Sequence, residues 1–233
     1  MIKSITDLIK RIQNDLSKWD NVSKPWFRGE SGDQFLCPKI AEHSANEENY
    51  LLQSFRRQAG GLANVPPRGH TDLWLFIAQH YGVPTRLLDW TEGALHALYF
   101  AINRGNSNPR LYMLNPRNLN DLAGLVTRPP NYPLSWVKVG KFYVALAWQN
   151  RSLGEAQVAI LEENGFDLNI PIAFPATYQD QRMISQRSCF TIHGKSLKPL
   201  NEILEEKDVD LSDYVIEYEI DMDARHSLLK ELS

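Results

Sequence analysis

The chain has few of the residues that would place it in an oxidising compartment or in a membrane. It contains only two cysteines, Cys37 and Cys189, among 233 residues. No apolar run follows Met1, and none approaches the roughly 20 residues needed to cross a bilayer. A pair of widely separated cysteines without a leader is typical of reduced thiols. We therefore expect a cytoplasmic protein with free thiols and no membrane partner.

The chain also lacks a large excess of either positive or negative charge. The formal net charge is -3 at pH 7, so no overall positive field would gather nucleic acid. A hydrophobic content of 43% with 10% aromatic residues excludes a disordered chain. No period of 20–50 residues repeats. We expect residues 1–233 to form one domain, with a helix at 4–19 as an N-terminal appendage.

Standard catalytic motifs are absent. The chain has no GxxxxGK[ST] phosphate loop, no GxGxxG dinucleotide turn, no GxSxG elbow and no CxxC pair. Its six histidines show neither HExxH nor HxH spacing. We therefore expect no metal cofactor.

Hydrophobic periodicity and turn residues predict helices in the first half and more strands in the second. Ser4 is the predicted cap of the first helix. Further helices are expected at 46–58, at 92–102, at 118–125, at 197–207, at 222–232 and from the Thr71-Asp72 cap into the segment that follows, with a helical turn at 179–186. Strands are expected at 25–30, 110–114, 157–161, 170–174, 189–193 and 214–220. The fold class is α+β, with N-terminal helices followed by a mixed or antiparallel sheet.

The most informative segment spans residues 79–91, QHYGVPTRLLDWT. Gly82 and Pro84 predict the end of a helix, so the segment should form a polar turn between two buried helices. Polar side chains fixed by buried neighbours are typical of a site. The candidates are His80, Tyr81, Thr85, Arg86, Asp89, Trp90 and Thr91. Alternatively, Arg86 and Asp89 pair with each other, and His80 and Trp90 belong to the core.

A second candidate segment is Trp26-Phe27-Arg28-Gly29-Glu30. An arginine at the end of an apolar strand suits the capture of a phosphate, because its guanidinium can bind two oxygens at once. The adjacent Gly29 would let a ligand approach the backbone. The alternative is a surface arginine paired with Glu30.

A third segment spans residues 179–194. Arg182 and Gln186 would lie on one side of a helical turn, four residues apart. The following strand directs Thr191 and His193 to one face. The alternative is an edge helix whose amides are solvated.

At these positions the chain resembles the FRG domain family of bacteria and phages. The resemblance rests on Phe27-Arg28-Gly29, on the block at 79–91, on ALYFA at 97–101 and on a late RxxxQxxxF pattern that ends at Phe190. It extends over roughly residues 20–230, with Ser188 where a glycine is common. The family resemblance implies more about the fold than about the chemistry. It also implies a toxin-like or phage-defence system with a partner protein.

A weaker resemblance suggests that chemistry. One branch of the ADP-ribosyltransferases begins its NAD-binding half with Tyr/Phe-Arg-Gly, continues with a Ser/Thr segment before an apolar helix, and later has a Gln/Glu segment. The resemblance implies an ADP-ribosyltransferase-like fold with NAD as the substrate.

Cleavage of NAD requires phosphate clamps, an aromatic wall and a carboxylate that stabilises positive charge. Arg28 and Arg86 could clamp, while Tyr81 or Trp90 could stack. Gln186 stands where a catalytic glutamate would be expected. Asp89, Glu30 or Asp180 would therefore have to supply the charge, or the domain binds a nucleotide without turning it over.

Three interpretations remain open. The first is an ADP-ribosyltransferase or NAD hydrolase that acts on a protein or nucleic-acid target or depletes NAD. The second is a non-catalytic nucleotide-binding or sensing module. The third is a nucleic-acid-directed enzyme, which the net charge and the lack of a ligand cluster disfavour. The candidate catalytic residues are Asp89, Gln186, His80 and Glu30, and the candidate binding residues are Arg28, Gly29, Tyr81, Thr85, Arg86, Trp90, Thr91, Arg182 and His193.

Overall fold

The fold is taken from a computed structural model, which describes residues 1–19, 24–32, 36–61, 65–67, 69–103, 107–125, 136–148, 159, 161–175 and 187–233. Its labelled helices are α1 Ile5–Leu16, α2 Ala45–Gln58, α3 Thr71–His80, α4 Ala94–Asn103, α5 Pro116–Leu122, α6 Trp136–Ala147, α7 Leu200–Glu205 and α8 Arg225–Glu231. Its strands are β1 Trp26–Glu30, β2 Leu87–Thr91, β3 Arg110–Leu114, β4 Ile172–Pro175, β5 Ser188–Ile192 and β6 Val215–Glu219. No helix among the described residues is long and apolar enough to cross a membrane.

Local sequence signals explain how several helices begin. The Ser4 side chain accepts a hydrogen bond from the backbone N–H of Asp7 at the start of α1. Ser44 and Glu47 form a reciprocal capping box at the start of α2, which satisfies two backbone donors. Asn115 caps α5, whose first residue is Pro116. The N-cap of α3 is His70, without a side-chain bond, rather than the expected Thr71-Asp72 pair.

The six strands form one sheet in the order β4-β5-β2-β1-β3-β6, and every strand pair is antiparallel. The α+β class is therefore confirmed. The sheet does not simply follow the helices along the chain, because its two central strands, β1 and β2, come from the N-terminal half.

Side chains alternate between two hydrophobic clusters. Phe27, Leu111 and Met113 belong to a cluster that includes residues of α1, α4 and α8. Trp26 and Tyr112 belong to the larger cluster, which includes residues of α2, α3, α6 and α7. This period of two along β1 and β3 indicates a sheet with helices packed on both faces.

Two expected elements differ from the observed ones. Residues 87–91 were expected on a turn but form an inner strand, because Leu87 and Leu88 are both buried and the strand pairs with β5 over its whole length. The strand expected at 157–161 is wrong at its two described residues, Ala159 and Leu161, which are helical. The helical turn expected at 179–186 lies outside the described residues. Cys37 and Cys189 are free thiols, as expected.

Gly29 is required by the packing of α4 on β1. A Cβ atom at this position would lie 1.7 Å from the carbonyl oxygen of Ala97 and 2.7 Å from the backbone nitrogen of Ala101. Both atoms belong to the helix backbone, which cannot move aside independently. The absence of a side chain therefore lets α4 lie directly against the sheet. This packing role is additional to the ligand approach that the sequence led us to expect at Gly29.

We predict that Gly29→Ala lowers Tm by about 6–12 °C, because overpacking against backbone costs about 3 kcal/mol in a chain of this size. Gly60→Ala is the matched control, since an added Cβ there meets nothing within 4 Å. Thermal unfolding followed by circular dichroism measures both. Equal melting temperatures for the two variants would contradict the close approach of α4.

Candidate active site

The sheet opens between its two central strands. β1 and β2 pair at one position, Phe27 with Thr91, whereas β1 pairs with β3, and β2 with β5, along all five residues. If the antiparallel register continued, Gly29 would lie opposite Asp89. The strands separate before that point, which leaves room for a cleft and removes ladder partners from both backbones.

A cleft of about 380 Å³ lies at this opening, within the range of small-molecule sites. Its lining comes from β1, β2 and β5, from α3 and α4, and from the short 3₁₀ helix Lys39–Glu42. The polar lining residues are Arg28, Lys39, Gln79, His80, Asp89, Thr91 and Ser188, and the aromatic ones are Phe27, Phe76, Trp90, Phe100 and Phe190.

Arg28 lies at the separation of the strands. Its Nη1 donates to the carbonyl oxygen of Asp89 at 2.6 Å, replacing the interstrand partner that this carbonyl lacks. Its Nε donates to the carboxylate of Glu30, which also accepts from the backbone N–H of Leu36 at 2.8 Å. Within the described part of the chain, Nη2 of Arg28 has no hydrogen-bond partner. The guanidinium of Arg28 is therefore fixed through Nε and Nη1, and its Nη2 group can donate to an anion.

Glu30 does not occupy the position of a catalytic acid. Its side chain is only 9% exposed, it is bonded to Arg28 and Leu36, and it is not part of the cleft lining. The expected catalytic role of Glu30 does not fit this geometry, because both oxygens are already used to hold Arg28 and the following segment. Its pairing with Arg28 is the alternative that the sequence left open.

Asp89 is the exposed carboxylate of the cleft. It projects from an otherwise buried strand, and its Oδ2 accepts from Nε2 of Gln79 at 2.7 Å. The oxygen of the same Gln79 amide accepts from the hydroxyl of Thr85 at 2.6 Å. Thr85 is itself fully buried and is not part of the lining, so it supports the site from behind rather than contacting a ligand.

Arg86 does not line the cleft with Arg28. Its side chain is 4% exposed and pairs with the fully buried Glu48 of α2, at 2.6 Å from Nη2 to Oε2. Its Nη1 donates to the carbonyl oxygens of His193 and Gly194 at 3.3 and 2.7 Å. The expected phosphate clamp at Arg86 does not fit this geometry, because its donors hold α2 and the end of β5 to the start of β2. Nor does Arg86 pair with Asp89.

His193 is also structural rather than a cleft residue. It is completely buried, and neither ring nitrogen makes a hydrogen bond of good geometry, although the backbones of Arg86 and Lys198 are near. Burial, with a further contribution from the positive charge of Arg86, lowers the pKa of His193 to about 3. The expected ligand contact at His193 does not fit a side chain without access to the cleft.

The aromatic wall differs from the expected one. Tyr81 is 57% exposed and packs on Phe55, with ring centroids 5.8 Å apart, outside the cleft lining. Trp90 borders the cleft, but its Nε1 donates to Thr191 in the interior. The rings of Phe76 and Phe190, 5.1 Å apart, take the place that Tyr81 was expected to fill.

Several of the expected residues do come together. Arg28, Gly29, His80, Asp89, Trp90 and Thr91 all line the cleft. Thr91 also accepts from the backbone N–H of Gly93, which fixes the turn into α4. Arg182 and Gln186 lie outside the described residues, so their expected roles stay predictions. Among the described residues, no three His, Cys, Asp or Glu side chains are grouped so as to hold a metal ion.

The sequence interpretation missed several lining residues, chiefly Lys39, Phe76, Gln79, Phe100 and Ser188. Helical spacing could have identified two of them, since Phe76 and Gln79 are three residues apart and therefore lie on the same face of α3. No local pattern identified Lys39, which reaches the cleft from the segment between β1 and α2. Glu48 was missed for the same reason.

Comparison with known protein families gives one match. The family model of the FRG domain matches residues 23–110. Residues 23–110 form an FRG domain. The matched stretch contains every lining residue of the cleft except Ser188 and Phe190, and it is shorter than the stretch over which the sequence resemblance was expected. Searches of curated proteins and of solved structures gave no match.

We predict that Glu48→Gln destabilises the protein by about 3–5 kcal/mol, because it leaves the buried Arg86 charge without its counterion. The control is Glu206→Gln, in an exposed pair with Lys198 whose side chains are 54% and 55% accessible, where a change below about 1 kcal/mol is expected. Urea unfolding gives both values. Wild-type stability of Glu48→Gln would show that the buried pair does not hold α2 in place.

We also predict a pH dependence of stability that His193 causes. The pKa of His193 is about 3 in the folded state against an ordinary value of 6.5, so the unfolded chain binds the proton first. The contribution is complete above pH 6.5 and is lost as the pH falls toward 3, by about 2 kcal/mol at pH 5.

His193→Leu, which cannot titrate, should therefore lose less free energy of unfolding than the wild type between pH 7.5 and 5. The exposed His226 provides the control, since His226→Gln should keep the wild-type slope. Parallel curves for the wild type and His193→Leu would contradict a neutral, buried His193.

Proposed function

We propose that the FRG domain is an NAD-using enzyme of the ADP-ribosyltransferase type, acting as a transferase or as an NAD hydrolase. The observation that carries this proposal is the juxtaposition of Arg28 and Asp89 where the central strands separate. The guanidinium of Arg28 donates to the backbone carbonyl of Asp89 at 2.6 Å, and both residues line the same cleft. A ligand that is anionic at one end and develops positive charge at the other suits such a pair.

Two cations are available for the anionic end. Arg28 is held by Glu30 and by the Asp89 carbonyl, so little side-chain freedom is lost when its remaining donors bind phosphate oxygens. Lys39 is exposed and lines the same cleft from the 3₁₀ helix. A pyrophosphate carries two negative charges, which these two side chains balance.

The aromatic side chains suit the flat rings of a dinucleotide. Phe76 and Phe190 lie in contact, and Phe27 and Phe100 complete the apolar lining. Stacking on aromatic faces provides contact area for a nicotinamide or an adenine ring without hydrogen-bond donors. Ser188 adds a hydroxyl group to the lining, which suits a ribose oxygen.

Asp89 supplies the negative charge that the reaction needs. Cleavage breaks the bond between the ribose C1′ and the nicotinamide nitrogen, both electrons leave with the nicotinamide, and C1′ becomes an oxocarbenium-like cation. A carboxylate in the cleft stabilises that cation. A water or a hydroxyl of the target then forms the new bond at C1′ and gives up its proton to Asp89 or to solvent.

The family resemblance suggests a setting for this activity. Modification of a protein or nucleic-acid target, or depletion of NAD, would harm a cell, which fits a cytoplasmic toxin-like or phage-defence role with a partner protein. The alternative function, a nucleotide-binding or sensing module, uses the same cleft without turnover.

We predict that the wild type releases nicotinamide from NAD and that Asp89→Asn lowers kcat by about 100-fold or more, because a neutral amide cannot balance the cation. Asn keeps an acceptor for Gln79, so the melting temperature should stay within about 2 °C of the wild type. Arg28→Lys should raise KM, because an ammonium group cannot bind two phosphate oxygens in a fixed plane. Liquid chromatography of nicotinamide and ADP-ribose measures turnover.

The control is Glu206→Gln, at an exposed position that does not line the cleft, which should turn over NAD as the wild type does. NAD that raises Tm without being cleaved would favour the sensing module. NAD that neither binds nor reacts, with the fold intact, would overturn both functions.

A further inference from the structure

Thr85 fixes which way the amide of Gln79 points. The Thr85 hydroxyl accepts from the backbone N–H of Leu87 at 3.2 Å and gives its single proton to Oε1 of Gln79 at 2.6 Å. Because that oxygen faces Thr85, the NH₂ group of Gln79 faces Asp89. A hydroxyl that is fully buried cannot exchange this partner for water.

The hydrogen bonds from Thr85 to Gln79 and from Gln79 to Asp89 form a chain, here called the relay, that ends at the carboxylate of Asp89. Nε2 of Gln79 donates to Oδ2 at 2.7 Å. A hydrogen bond from a fixed N–H is stronger to an ionised oxygen than to a protonated one. Within the described part of the chain, Oδ1 makes no hydrogen bond, so one oxygen is anchored and the other remains available to a ligand.

We propose that Gln79, oriented by Thr85, is a positioning residue that anchors one oxygen of the Asp89 carboxylate and leaves the other oxygen free in the cleft. This inference rests on the proposed function for its kinetic consequence, but not for its geometry. The anchored carboxylate faces the cleft with its free oxygen, where it stabilises positive charge on a ligand. The relay starts at the buried end of β2, crosses to α3 and returns to β2, so it couples the helix position to the orientation of Asp89.

A merely structural role predicts something different. If the relay only tied α3 to β2, its loss would lower stability without altering the environment of the Asp89 carboxylate. Two substitutions separate the possibilities. Thr85→Val keeps the shape but removes the hydroxyl, whereas Thr85→Ser keeps the hydroxyl and loses only a methyl group.

The first experiment uses no substrate. The side-chain ¹⁵NH₂ signals of Gln79, assigned with Gln79→Met, are recorded for the wild type, Thr85→Val, Thr85→Ser and Asp89→Asn. We expect Asp89→Asn and Thr85→Val to shift these signals and to speed their exchange with water, and Thr85→Ser to leave them close to the wild type. Unchanged Gln79 signals in Thr85→Val and Asp89→Asn would overturn the relay.

The second experiment measures NAD cleavage. Gln79→Met should lower kcat by about tenfold, the loss expected for a hydrogen bond to a charged group, while KM changes by less than about twofold. Thr85→Val should reproduce this pattern and Thr85→Ser should restore most of the rate. Gln53→Met, at an exposed position of α2, is the matched control and should behave as the wild type.

The two experiments distinguish failure of the inference from failure of the proposed function. A relay detected in the NMR signals of a protein that does not cleave NAD would overturn the function and keep the positioning role. NAD cleavage with wild-type kcat in Gln79→Met would keep the function and overturn the positioning role. A third outcome is a fall in melting temperature while the Gln79 signals of Asp89→Asn are identical to those of the wild type. That outcome would show that the relay has only a structural role.

Discussion

The separation of β1 from β2 determines most of what this protein can do. A continuous ladder would close the sheet at its centre and leave no cleft, because Gly29 would pair with Asp89. Instead the two strands share the pair Phe27 and Thr91, and Arg28 donates to the carbonyl that lost its partner. The cleft at this separation is lined by the Arg28 side chain and by Asp89.

Helix α4 maintains this arrangement from one side. Its backbone lies so close to Gly29 that no side chain fits between them. α4 also contributes Phe100 to the cleft, and the turn before it is fixed by Thr91. The glycine of the Phe-Arg-Gly motif therefore serves the packing of the helix, while the arginine beside it serves the cleft. The residue types at positions 28 and 29 are therefore required for two different physical reasons.

Two arginines that look equivalent in the sequence have opposite roles. Arg28 is partly exposed and bonded along one edge, so that it keeps donors for an anion. Arg86 is buried with Glu48 and with two backbone carbonyls, so all its interactions are internal. The difference follows from position along the strands: Arg28 lies where β1 leaves β2, whereas Arg86 precedes a strand that is covered by α2. His193, neutral in the same buried region, avoids a second charge beside Arg86.

The sequence by itself determined the class of fold and most elements, since these depend on local periodicity and caps. Its long contiguous motif also indicated the FRG domain, whose family model matches residues 23–110. The sequence correctly placed β1, β3 and β6. It also named Arg28 and Asp89 as candidate site residues, and both line the cleft. It could not determine that 87–91 is an inner strand, because a short apolar run beside polar residues has no distinctive period. Only the tertiary structure decided which polar groups meet. Glu48 lies 38 residues from Arg86, and Ser188 and Phe190 lie about 100 residues from Asp89. Such partners are chosen by sheet order and helix packing, which no local pattern records.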